Sequence, residues 1–89
     1  MLTKTFTVDS PLGLHTRAVT ILVVQTAKFA SEITLRYHDA EANGKSVIGI
    51  LALQVPPGGE IALTASGPDE ERAMARMERF FAEDLKVCG

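Results

Sequence analysis

The chain has 89 residues, enough for one small hydrophobic core, so a single domain over residues 1–89 is expected and a multidomain enzyme is excluded. Hydrophobic residues at 46% against charged residues at 22% place it among folding globular sequences and outside the polar, highly charged regime of disorder. Nine Lys and Arg against eleven Asp and Glu give a net charge of -2, which supplies no positive field for nucleic acid, and no apolar run approaches the ~20 residues of a membrane span.

Residues Leu2 to Val8 alternate, with Leu2, Phe6 and Val8 on one side and Thr3, Thr5 and Thr7 on the other, the period of a half-buried strand. Asp9-Ser10-Pro11-Leu12-Gly13 breaks it. From Thr16 to Ala30 the period becomes helical, and Val19, Leu22, Val23, Thr26 and Ala30 fall in one sector that faces the core. The opposite sector carries Arg17, Thr20, Ile21, Val24 and Lys28. Ile33, Leu35 and Tyr37 alternate as a second strand, and Ala40 to Ala42 is expected to pair with it through a hairpin turn holding His38 and Asp39. The apolar run Val47 to Leu53 fits strand or helix by period, and Ser46 as an N-cap favours helix. Val55-Pro56-Pro57-Gly58-Gly59 forms an irregular loop, and Glu60 to Ser66 alternates with Ile61, Leu63 and Ala65 inward. Gly67-Pro68 and Asp69-Glu70-Glu71 open a last helix with Met74, Met77, Phe81 and Leu85 as its stripe and Arg72, Arg76 and Arg79 on its solvated face. The single cysteine, Cys88, can make no internal disulfide and fits a reducing, cytoplasmic setting, and Met1 to Pro11 lacks the apolar stretch of a signal peptide.

The order βαββαβα predicts an α+β domain, an antiparallel sheet with helices packed on one face, with a ferredoxin-like arrangement as the competing topology. Of the two histidines, His38 reads as an exposed turn residue with no second histidine at metal-ligand spacing. His15 falls at a helix start, where free backbone N–H groups and the positive dipole end favour an anion, so its ring is placed to carry a phosphate, with the Arg17 guanidinium one turn in. Asp9, Ser10 and His15 supply the letters of a hydrolytic triad, but no oxyanion element accompanies them and the chain is too short to wall a substrate pocket.

The string Gly13-Leu14-His15-Thr16-Arg17 resembles the active-site signature of the HPr family, the histidine-containing phosphocarriers of the bacterial phosphoenolpyruvate-dependent phosphotransferase system. Asn43-Gly44-Lys45-Ser46-Val47-Ile48-Gly49 is similar to that family's regulatory-serine segment, and Glu60-Ile61 and Ala65 to Glu70 extend the likeness along nearly the whole chain. The resemblance implies an open-faced sandwich of four antiparallel strands under three helices. It also implies that His15 accepts a phosphoryl group from phosphorylated enzyme I and passes it to IIA domains of sugar transporters, that Arg17 and the backbone N–H groups of Thr16 and Arg17 hold it, and that Ser46 matches the site of a dedicated kinase. Partners would dock on Thr20, Ile21, Val24, Val47, Ile48 and Leu51. Such a protein is a monomeric covalent substrate with no cofactor and no metal, and is not a turnover enzyme; HPr kinase/phosphorylase and transcriptional regulators are further implied partners. Two positions depart from the family pattern: Ala18 stands where a proline is usual, and Gln54 where glycine often closes the second helix. The alternatives are a regulatory module read by its phosphorylation state, and a structural module without phosphate chemistry.

Overall fold

The computed structural model describes the backbone of residues 1–88 and the side chains of residues 1–86, so the expectation for the Cys88 thiol lies outside the described residues. The elements are β1 (Leu2–Thr7), α1 (Thr16–Thr26), β2 (Glu32–Tyr37), β3 (Ala40–Asn43), α2 (Val47–Leu51), β4 (Glu60–Ser66) and α3 (Glu70–Arg79), which runs through a π-helical turn (Phe80–Asp84) into α4 (Leu85–Cys88). The four strands form one antiparallel sheet in the order β1-β4-β2-β3, which decides for the open-faced sandwich over its competitor.

Alternation in the strands gives the sheet its two characters. Ile33 and Leu35 of β2 and Ile61, Leu63 and Ala65 of β4 are buried under the helices, while Thr3, Thr5, Thr7, Arg36, Glu60 and Ser66 are exposed. Lys4, which interrupts the apolar side of β1, lies opposite Leu63 and therefore on the helix side of this edge strand. Its ammonium leaves the apolar layer by pairing with Glu78 of α3.

Three readings of the helices are corrected. The first helix stops at Thr26, four residues short of Ala30, because Lys28 N–H and Phe29 N–H bond back three residues to Gln25 and Thr26, each at 3.2 Å, and tighten the chain into a turn. Ala30 is consequently exposed, Lys28 lies past the helix, and the buried face is Ala18, Val19, Leu22 and Thr26, with Val23 only half-buried. The hydroxyl of Thr26 is compatible with full burial because it donates to the Gly44 carbonyl at 2.7 Å. The last helix is not a uniform α-helix, since the π turn shifts its register by one residue and brings Phe80 inward beside Phe81. Phe81 then stacks on Phe6 with ring centroids 4.7 Å apart, and Phe80 meets Phe81 edge-on at 5.2 Å. Nor is Arg76 a solvated residue: its Nε donates to Gln25 Oε1 of α1 at 3.1 Å and its Nη2 pairs with Asp84 at 2.5 Å, fastening the last helix to the first.

A second fastening joins the turn after α1 to the turn after β4. Asp69 accepts the Ser31 hydroxyl at 2.5 Å, Ala30 N–H at 2.8 Å and Ser31 N–H at 2.9 Å. Gly67 is needed for this approach, since at its φ of 155° a Cβ would stand 2.6 Å from Ser31 Cα. The Ser31 hydroxyl first, then the Ala30 N–H, pull the Asp69 carboxyl down to about 2 against the opposing effect of burial, and the Ser31 N–H adds less.

Candidate functional site

The segment before α1 is held from both sides. Val8 N–H donates to Gly59 O at 2.8 Å, Gly13 N–H to Ser10 O at 3.1 Å and Leu14 N–H to Val55 O at 3.1 Å, while Leu14 sinks into the core at 5% exposure. Gly13 adopts φ +66°, and a Cβ there would lie 2.4 Å from the Val55 carbonyl oxygen, so only glycine lets the chain pass this close to the loop after α2. The pinned loop delivers His15 to the N-cap of α1 with extended φ and ψ of -90° and 172°.

Helix geometry then supplies the electrostatics. The first bond of α1 runs from Val19 N–H to His15 O at 2.9 Å, leaving the N–H groups of Thr16, Arg17 and Ala18 ahead of it without intrahelical partners. The His15 side chain makes no cap hydrogen bond, so it does not occupy the donors it adjoins. Its Nε2 is enclosed and has no hydrogen-bond partner, although the residue as a whole is half-buried. Arg17 is exposed and forms none of the ion pairs of the described residues. An imidazole, free N–H groups and an uncommitted guanidinium thus follow one another along the chain, an arrangement suited to a dianion attached to the ring. Ala18, in place of proline, is fully buried in the first turn, and the helix starts at Thr16 without it. Asp9 and Ser10 are engaged elsewhere: Asp9 pairs with Lys86 at 3.7 Å and Ser10 Oγ accepts Leu12 N–H at 3.4 Å.

Ser46 is the N-cap of α2, its Oγ accepting Gly49 N–H at 3.1 Å. The residue before it, Lys45, turns away to donate to the Phe29 carbonyl at 2.6 Å. Gln54 takes the left-handed conformation at φ 52°, the geometry glycine would supply after α2. His38 is exposed in the β2–β3 turn at φ 54°, its ring 4.2 Å from that of Tyr37.

The residues expected to form a docking surface divide in two. Val24 and Ile48 are exposed at 53% and 82%, and Thr20 is exposed with its hydroxyl returned to Thr16 O at 2.8 Å. Ile21, Val47 and Leu51, by contrast, are half-buried against the core, so they support the surface more than they compose it. One large exposed apolar residue near His15 escaped the pattern reading: Leu12, 64% exposed, in a loop where no periodicity could single it out.

The fold thus sets a histidine at the start of its first helix and an N-cap serine at the start of its second. Residues 2–83 match the family model of the phosphotransferase HPr component phosphorylation site. The chain is 36% identical over 83 residues to the phosphocarrier protein HPr of Lysinibacillus sphaericus, covering 93% of this chain and 94% of that one. Among solved structures, an HPr of Thermoanaerobacter tengcongensis superposes with a TM-score of 0.91 at 30% identity, covering 96% of both chains. A dimeric HPr structure from the same organism matches with a TM-score of 0.76 at 33% identity, over 82% of this chain and 84% of that one. The chain belongs to the HPr family of phosphotransferase-system phosphocarriers.

Proposed function

We propose that the protein carries phosphoryl groups on His15, receiving each from phosphorylated enzyme I and delivering it to IIA components of sugar transporters. The observation that carries this reading is the His15 ring itself: Nε2 is enclosed, which leaves Nδ1 as the nitrogen a partner can reach, beside the free N–H groups of α1. In the transfer, the Nδ1 lone pair forms the new N–P bond while the donor nitrogen keeps the electron pair of the bond that breaks, and the ring hydrogen stays on Nε2. Thr16 N–H, Arg17 N–H and the Arg17 guanidinium hold the phosphoryl oxygens. The protein is then a covalent substrate of other enzymes, acting in the cytoplasm, and it works as a monomer. Light scattering tests the last point, since a relative forms a dimer.

Phosphorylation of Ser46 by an HPr kinase/phosphorylase is the proposed regulation, and it acts by placing charge beside the exposed Ile48 without unfolding α2. A role as a module read by transcriptional regulators would use the same phosphoserine. The decisive experiment is labelling with radioactive phosphoenolpyruvate and enzyme I. Wild-type protein is expected to take up acid-labile phosphate, and His15→Ala to take up none while keeping its far-UV circular dichroism. Equal labelling of the variant would remove His15 from the mechanism.

A further inference from the structure

We infer that Leu12 is a specificity-determining contact for the phosphorylated protein partner, an apolar anchor beside His15 whose covering shuts out water during transfer. The inference rests on the phosphocarrier reading of His15 and adds a residue to it. Leu12 is 64% exposed, yet its backbone is not slack. Its own N–H reaches Ser10 Oγ, the next two N–H groups bond to Ser10 O and Val55 O, and Ser10, Gly13 and Leu14 are all buried. The side chain is therefore held outward on a fixed base, three residues and no more than about 11 Å of chain from the nucleophile.

Position and chemistry together give Leu12 its role. Moving a phosphoryl group between two histidine rings competes with water, which would take the same group and waste it as inorganic phosphate. After His15 the chain offers the free N–H groups of α1 and the exposed Arg17. On the loop side, Asp9 is directed to Lys86, and Leu12 is the large apolar side chain that projects. A leucine there offers the phosphoryl oxygens no donor. It offers the partner an apolar anchor whose burial expels water next to the reacting nitrogens. The partner that fits carries its phosphohistidine beside an apolar recess, and a partner with a charged rim at that place is rejected because its charge would be desolvated against Leu12.

The test compares Leu12→Asp, Leu12→Ser and Leu12→Met in phosphotransfer from purified phosphorylated enzyme I, followed by rapid quench, with thermal unfolding measured in parallel. The aspartate and serine variants are expected to lower kcat/KM by about tenfold or more, chiefly through KM, while methionine stays within about twofold of wild type and all three melt like it. Wild-type rates in the serine variant, whether or not the aspartate variant folds, would overturn the inference. So would a loss as large in the methionine variant, because an apolar anchor tolerates that exchange. Failure of the wild-type protein itself to label would strike the phosphocarrier reading and is distinguished from both.

Discussion

Replacing Gly13 with alanine perturbs fold and site through one atom, and a second glycine separates the causes. At φ +66° an L-residue carries about 1–2 kcal/mol of left-handed strain. The added Cβ would also stand 2.4 Å from Val55 O, so the two segments must part and the Leu14 N–H to Val55 O bond is lost, leaving buried polar groups unpaired at a further ~1–3 kcal/mol. Gly58 has nearly the same strain, with φ +80°, but a Cβ there meets nothing within 4 Å. Urea denaturation should therefore show Gly58→Ala destabilised by about 1–2 kcal/mol and Gly13→Ala by about 2–5 kcal/mol. Phosphotransfer should separate the two more sharply, since only Gly13→Ala displaces the loop that aims His15, and a shift of ~1 Å at a reacting centre is worth up to about a hundredfold in rate. Equal stabilities for the two variants, or wild-type transfer by Gly13→Ala, would refute the claim that the close pass at Val55 positions the nucleophile.

Gln54→Gly, which relieves left-handed strain after α2 of about 1–2 kcal/mol against an added chain-entropy cost of about 0.5–1 kcal/mol, should raise stability by about 0.5–1 kcal/mol in the same denaturation assay, and a drop in stability would discount the strain. The Asp69 carboxyl, held at about 2 against an ordinary 3.8, contributes stability that is complete above about pH 4 and lost as pH falls toward 2. Asp69→Asn should accordingly flatten the acid limb of a melting-temperature profile between those values, and an unchanged limb would discount the Ser31 contact. Val24→Glu combined with Ile48→Glu should weaken enzyme I binding by more than ~2 kcal/mol in titration calorimetry with little change in melting temperature, as both side chains are exposed in the free protein. Ser46→Asp should melt within a few degrees of wild type, since aspartate also caps, and transfer phosphate more slowly.

What could be read from the sequence was what neighbouring residues decide among themselves. Strand alternation in Ile61-Leu63-Ala65, the Ser46 cap and the helix start after His15 are all local, and each stands where its residues placed it. The end of α1 is not legible locally, because Ala30 continues the helical period and only Asp69, far along the chain, gives its N–H and that of Ser31 another acceptor. Arg76 looked solvated for the same reason, its partner Gln25 being 51 positions away. The π turn has no pattern of its own, because Phe80 and Phe81 both suit an apolar stripe and the turn buries both, Phe81 against Phe6 across the layers. At the site, the motif located His15 and Arg17, but enclosure of Nε2 depends on how the loop packs, which no spacing encodes.

The strand order has a consequence for how the protein comes into being on the ribosome. β1 is made before the other described strands, yet among the described residues its neighbour is β4, with Leu2 opposite Ala65 and Thr7 opposite Glu60. The β2–β3 hairpin can close as soon as its short turn emerges, whereas β1 must wait for nearly two-thirds more of the chain, several seconds at about 5–20 residues per second. A similar delay governs His15: α1 can coil early, but the loop before it is locked only when Val55 and Gly59 have been added to hold Leu14 and Val8. A nascent chain thus carries His15 well before the loop that sets its position is locked.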